Sequence, residues 1–216
     1  MGCLLKQGGG LHARWRVGGV VLAAGEGRRM GGVSKPLIRR QLIALSGAGV
    51  DEVVVVTGHA RDAIEAQVQN FPVTLAHNEA HAEGQQSSVR VGLAALTGSF
   101  DAVLIVLADQ PLIAANDLIE LIGAFKKRPQ GHVLVPVIDT ARGNPIVLDE
   151  TACTQVLASD TNLGCRHLIE RHPELVHVYE TTNRRFLTDI DTVEDMQELA
   201  ARTGWRFELP PAQMVR

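Results

Sequence analysis

Cysteine is scarce. Cys3, Cys153 and Cys165 are the only three in 216 residues, and they are widely spaced. An odd, scattered set gives no zinc-ligand pattern and points to a reducing compartment, so a cytoplasmic location is expected. Long apolar runs are missing too. The longest, such as Val53 to Val56 and Ala102 to Ala108, are strand-sized, short of the roughly 18 residues that a bilayer span needs. Nor is there a basic excess: Lys plus Arg total 21 and Asp plus Glu 24, a formal charge of −3. Neither a membrane nor a nucleic acid is therefore expected as a partner. What the chain does have is 45% hydrophobic residues, which supply a substantial core and exclude a chain disordered throughout. The length fits one domain, or two very small ones.

Residues 1–16 read MGCLLKQGGGLHARWR. They lack the apolar centre of a secretory signal, and Lys6 stands where a myristoylation signal has Ser or Thr. A loose leader is expected there, followed by one domain over 17–203 and a tail over 204–216. Within that domain, apolar runs alternate with helix-like stretches. Strands are expected at Val17–Ala23, Val53–Thr57, Val73–Ala76, Ala102–Leu107, Val133–Ile138, Pro145–Leu148 and Leu175–Tyr179. Helices are expected at Pro36–Ala48, Arg61–Gln69, Ser87–Leu96, Asn116–Phe125, Thr151–Ala158, Cys165–Arg171 and Val193–Ala201. The alternation predicts an α/β fold: a single three-layer domain whose mixed, mostly parallel sheet is covered on both faces.

The first strand runs into Ala23-Ala24-Gly25-Glu26-Gly27-Arg28-Arg29-Met30-Gly31-Gly32, and Lys35 follows. Closely spaced glycines after a first strand allow a tight turn and open backbone amides toward an anion. Arg28, Arg29 and Lys35 add positive charge, and a nucleoside triphosphate suits that combination. The spacing is neither the Walker pattern nor a dinucleotide fingerprint, because Met30 stands where the third glycine would fall. An ordinary glycine-rich turn with solvated arginines is the alternative.

Asp109 ends the apolar run Leu104–Leu107 within Ala108-Asp109-Gln110-Pro111, where parallel sheets bind ligands. A second acidic group, Asp189 and Asp191, lies in Thr188-Asp189-Ile190-Asp191-Thr192. Two residues apart in extended chain, these carboxylates point the same way. Phosphoryl chemistry uses carboxylates to hold Mg²⁺, and Asp109 with Asp191 or Asp189 would serve. The alternative is that Asp191 or Thr192 caps the last helix. Glu83-Gly84-Gln85-Gln86-Ser87-Ser88 precedes another helix, where Ser87 or Ser88 either binds a base or ribose or simply caps that helix.

The stretch LAAGEGRRMGG with the following lysine resembles the opening signature of the Rossmann-like nucleotidyltransferases. Its Ala23-Ala24 form is similar to that of the molybdenum cofactor cytidylyltransferases. The likeness spans about Gly18 to Ala201 and includes the Asp-Gln-Pro and Asp-Ile-Asp-Thr stretches. It implies that Leu22, Ala23, Ala24, Gly25 and Gly27 wrap a triphosphate, which Arg29 and Lys35 neutralise. It also implies metal ligation by Asp109 and by Asp191 or Asp189, with Mg²⁺ as the metal and Mn²⁺ as a substitute. Gly84 and Ser88 lie against the nucleobase in this comparison, and Arg166 contacts a pterin phosphate. Arg142-Gly143-Asn144-Pro145 resembles the loop on the second-substrate side.

The implied reaction is cytidylyl transfer from CTP to molybdenum-bearing molybdopterin, with release of pyrophosphate. Contact with a molybdoenzyme or a maturation protein is also implied. One departure stands out. The family usually has a spacer between its lysine and the next Pro-Leu, whereas here Lys35 adjoins Pro36-Leu37. Guanylyl transfer, transfer to a sugar phosphate and a degenerate nucleotide-binding protein are the rival readings. A dinucleotide-dependent oxidoreductase is disfavoured, because Thr57-Gly58-His59 offers no acidic residue after the second strand.

Overall fold

The computed structural model describes residues 14–25, 35–158 and 165–205. In these residues one sheet of eight strands runs through the molecule. The strands are β1 (Val17–Ala23), β2 (Glu52–Thr57), β3 (Thr74–His77), β4 (Ala102–Leu107), β5 (Val133–Ile138), β6 (Ala141–Arg142), β7 (Ile146–Leu148) and β8 (Val176–Glu180). The helices are α1 (Lys35–Gly47), α2 (Arg61–Val68), α3 (Gln85–Ala95), α4 (Ala115–Lys127), α5 (Glu150–Ala158), α6 (Cys165–Arg171) and α7 (Val193–Thr203).

β1 sits between β2 and β4, parallel to both, with Leu22 opposite Val56 on one side and Leu107 on the other. β3 extends the parallel half beyond β2. On the far side β7 enters antiparallel between β4 and β5, and β8 pairs parallel with β5. β6 and β7 are the two halves of one return limb. Between the pairs Val137–Arg142 and Val133–Leu148, β5 advances four residues and the limb six. The surplus is taken up at Gly143-Asn144-Pro145, where the Asn144–Pro145 peptide is cis. Sequence patterning shows neither the two-residue β6 nor the reversed direction of β7, because a strand's direction is set by its partners.

Side chains alternate between the faces of β1 as the period of two requires. Val17, Val21 and Ala23 join the core under α1, α2 and α4, and Val20, Leu22 and Ala24 join the core under α3, α5 and α6. α3 lies close on the sheet, since a Cβ at Gly92 would fall inside Val20. α7 closes a smaller cluster in which Met196 and Leu199 meet Leu37 and Ile190. Its start is a capping box: the Thr192 hydroxyl accepts from the Asp195 amide at 3.1 Å, and the Asp195 carboxylate accepts from Thr192 at 2.8 Å.

The folded body reaches beyond 17–203 at both ends. Arg14 bonds the Gly49 carbonyl at 3.0 Å and pairs with Asp51 at 3.1 Å. The amide of Arg16 bonds Asp101 at 2.8 Å, and Trp15 packs on the core. At the other end Trp205 lies under the Arg40 guanidinium at 3.1 Å.

Candidate active site

The carboxyl ends of β1 and β4 lie side by side, and the Ala108 amide bonds the Leu22 carbonyl at 3.2 Å. Ala23 and Ala24 are buried there, and Gly25 turns outward into solvent. Gly58, just past β2, permits this close layering, because a Cβ there would stand 2.6 Å from the Ala24 carbonyl oxygen and 2.9 Å from the Cβ of His81. Gly27 and Arg29 lie outside the described residues. So does the Lys35 side chain, although Lys35 is placed as the first residue of α1.

Asp109 follows β4, and the chain of residues 186–190 is fastened across it. The Ile190 amide bonds the Asp109 carbonyl at 2.9 Å. Gln110 Nε2 donates to Asp189 Oδ1 at 2.7 Å and to the Phe186 carbonyl at 3.3 Å. The Gln110 carbonyl in turn accepts from Gln41 Nε2 of α1. This fastening gathers Asp109, Asp189 and Asp191. Burial, followed by repulsion from Asp189, pushes the Asp109 carboxyl up from 3.8 to about 6; its own backbone hydrogen bond opposes the shift, and Asp191 adds to it. Asp109 Oδ1 is buried with no hydrogen-bond partner. Thr192, not Asp191, supplies the cap of α7, which leaves the Asp191 carboxylate out of that role.

The donor set fits a divalent cation. An orphaned, desolvated carboxylate oxygen beside two further carboxylates is a hard-oxygen arrangement short of positive charge. Among the described residues no three His, Cys, Asp or Glu side chains gather closely enough to hold a metal ion by themselves. Asp109 with Asp189 or Asp191 would therefore complete such a site with substrate phosphate oxygens, as Mg²⁺ commonly requires.

A cleft of about 650 Å³ opens on the sheet face under α3 and α6. Leu22, Leu107 and Ile146 form part of its floor, and Gln86, Arg142 and Arg166 part of its walls. Arg166 is largely exposed and pairs with Glu170 at 2.9 Å. An exposed pair of this kind is worth little, so the guanidinium can exchange it for a phosphate at small cost. Cys165 also lines the cleft, but burial pushes its thiol up to about 12. It is no nucleophile at neutral pH.

The start of α3 differs from the expected serine cap. Gly84 is the N-cap, at φ 110°, a left-handed backbone that glycine adopts readily. Ser87 and Ser88 are buried inside the helix, where Asn78 Nδ2 donates to their hydroxyls at 2.8 and 2.9 Å. The expected base-contacting Ser88 is thus engaged beneath the surface, while Gln85 and Gln86 face the cleft. No pattern in the sequence marks either glutamine, nor Gln110, whose partner Asp189 is 79 positions away.

A parallel-centred sheet with an acidic group at its carboxyl edge, where the first strand leads into a glycine-rich stretch of sequence, defines a Rossmann-like domain of the nucleotidyltransferase class. The chain belongs to the family of MobA-like NTP transferase domains, whose model matches residues 19–176. It is 28% identical over 198 residues to nicotine blue oxidoreductase from Paenarthrobacter nicotinovorans, covering 85% of this chain and 96% of that protein. It is 33% identical over 138 residues to the bifunctional protein GlmU from Pelobacter propionicus, covering 60% of this chain but only 29% of GlmU. In fold it resembles Rv0371c from Mycobacterium tuberculosis H37Rv, with a TM-score of 0.72 at 23% identity, covering 87% of this chain and 98% of that one. No helix among the described residues is long and apolar enough to cross a membrane.

Proposed function

We propose that the protein transfers a cytidylyl group from CTP to the phosphate of molybdenum-bearing molybdopterin, releasing pyrophosphate. The family match over residues 19–176 carries the reaction class, and the orphaned Asp109 carboxylate at the sheet edge supports it. CTP rather than GTP rests on Ala23-Ala24, and the pterin acceptor rests on the same likeness. The action is placed in the cytoplasm, with a molybdoenzyme or maturation protein receiving the product.

The acceptor phosphate attacks the α-phosphorus, a new P–O bond forms, and the bond to pyrophosphate breaks. No side-chain nucleophile is required; positioning and charge neutralisation do the work. The glycine-rich stretch after Ala24 would offer backbone amides to the triphosphate, and Arg29 and Lys35 would offset charge on the departing pyrophosphate. Asp109, with Asp191 or Asp189, would hold Mg²⁺ or Mn²⁺, which when bound neutralises phosphate charge and sharpens the electrophilicity of the α-phosphorus. Arg142 and Arg166 line the cleft in which an acceptor phosphate would sit. The test is pyrophosphate release from each of the four NTPs with and without the pterin. Release with CTP that depends on the pterin is expected, and a preference for GTP would move the protein to guanylyl transfer.

A second reading has one observation behind it, the near full-length likeness to a protein named as an oxidoreductase. In that reading the same cleft holds a redox substrate. Substrate-dependent oxidation of a nicotinamide cofactor, with no pyrophosphate released from any NTP, would establish it over transfer.

A further inference from the structure

Two parts of the candidate site meet at one carbonyl. Arg142, Gly143 and Asn144 line the cleft, and residues 186–191 carry the acids that gather beside Asp109. Phe186 stands between these parts with its side chain buried in the core. Its carbonyl accepts from the Asn144 amide at 2.9 Å and from Gln110 Nε2 at 3.3 Å. The same Nε2 donates to Asp189 Oδ1 at 2.7 Å. Gly143 lets the two parts touch. A Cβ there would stand 2.7 Å from the Phe186 carbonyl oxygen and 2.9 Å from the Phe186 Cβ, well inside the normal packing distance of such atoms. Its own backbone angle does not demand a glycine. Among the described residues, positive φ at glycine occurs at Gly49, Gly84, Gly131 and Gly204, and Gly143 is not one of them. The close approach is therefore what glycine serves here. The Gly143 amide also bonds the Pro136 carbonyl at 2.8 Å. With β5 behind it, a side chain at position 143 would press on residue 186.

We infer that Gly143 is a positioning residue that couples the cleft to the acidic group: the seating of residues 142–144 sets where residues 186–191 stand. This rests on the nucleotidyl-transfer reading for one point, that the acidic group binds a divalent cation. A ligand that draws Arg142 and Asn144 into the cleft then changes cation affinity through the Phe186 carbonyl. By linkage, the cation changes the affinity for that ligand by the same factor.

The experiment titrates Mn²⁺ into the full chain and counts free Mn²⁺ by electron paramagnetic resonance, with a melting curve for each variant. Gly143→Ala should weaken Mn²⁺ binding about tenfold, as displacement of an outer partner of a metal ligand does. Gly123→Ala in α4, where a Cβ meets nothing within 4 Å, should leave it unchanged. A Gly143 that serves packing alone would lower the melting temperature on substitution and leave Mn²⁺ affinity as it was. Wild-type affinity in a folded Gly143→Ala protein therefore overturns the inference, and pyrophosphate release from CTP beside that result would leave the transferase reading intact. If Gly143→Ala does not fold, amide hydrogen exchange of the wild-type protein, read by nuclear magnetic resonance with and without saturating Mg²⁺, decides. The cation should slow exchange at Gly143 and Asn144 as well as at Ile190, and no slowing at Gly143 and Asn144 overturns the coupling. A wild-type protein that binds no Mn²⁺ overturns it too, as does one whose Mn²⁺ affinity survives Asp109→Asn. The expected Mn²⁺ pattern without pyrophosphate release from any NTP would sink the transferase reading and leave the coupling standing.

Discussion

Two carboxylates stand at opposite edges of the same sheet and live under opposite conditions. Asp149, just past β7, is saturated: Arg128 pairs with it at 2.8 Å, His132 Nδ1 lies 2.9 Å away, and the Ala152 amide donates at 3.1 Å. Asp109, just past β4, has a buried oxygen with no partner and two carboxylates for company. The first arrangement joins β7 to α4 and α5 and is complete without a ligand. The second is complete only when a cation or proton arrives. At the same depth, partner supply separates a carboxylate that builds from one that binds.

The sharpest way to break this contrast is Asp109→Asn. It keeps the shape and removes one charge from the proposed cation site. Turnover should fall roughly a hundredfold, about 3 kcal/mol of transition-state stabilisation. A Mg²⁺ titration of the rate checks it, and unchanged turnover at every concentration would remove Asp109 from the site.

Next comes stability against pH in the metal-free protein. The folded pKa of Asp109 is raised, to about 6, so the folded state favours the protonated form. Stability is full below the unfolded value of 3.8 and is lost as pH rises through about 6. Asp109→Asn escapes that loss. It should be more stable than wild type at pH 8 by about 2–3 kcal/mol, the size of a shift of roughly two units. The advantage should shrink to nothing as pH is lowered to 4 and below. Paired melting curves without metal test this, and a variant that melts earlier at pH 8 contradicts it.

Asp149→Asn should behave in the opposite way. It strands Arg128, whose side chain is 15% exposed. The expected cost is about 2 kcal/mol, less than the roughly 3–5 kcal/mol of a fully buried pair because both partners keep some water. Turnover per folded molecule should not change. The smallest effect sharpens the acidic group itself: Thr192→Ala should cost about 1 kcal/mol through the lost cap. Asp191→Asn keeps the Thr192 cap and the Asp191 amide's bond to Asp195, so it should lower the melting temperature less than Thr192→Ala does, and an equal or larger loss would make Asp191 part of the cap after all.

Much of this was legible in the chain. β1, β4 and β5 begin and end at the residues their apolar runs suggest, because buried strands of this kind have few alternatives. Asp109 was legible as a strand-end acid, and the loop before α3 as a helix entrance. The cap of that helix was not, because Gly84 is chosen by a backbone angle and Ser87 and Ser88 are turned inward by Asn78. Nor was the fastening of Gln41, Gln110 and Asp189, which joins positions 69 and 79 apart. Composition and periodicity are blind at that range, and only the fold brings such residues together.

The bond from Ile190 to Asp109 also fixes an order in time. When a growing chain has emerged as far as β4, the contiguous parallel strands β3, β2, β1 and β4 are present and can pair. Asp109 is then at its edge but stands alone. The carboxylates that join it arrive some 80 residues later, after β5 to β8 have been laid down beyond β4. Domains assemble broadly from the amino-terminal side during synthesis, so the parallel half of the sheet precedes the acidic group at its edge, and the proposed cation site can form only last. A nascent chain halted before residue 186 would carry Asp109 at the end of β4, yet lack both acids that the proposal pairs with it.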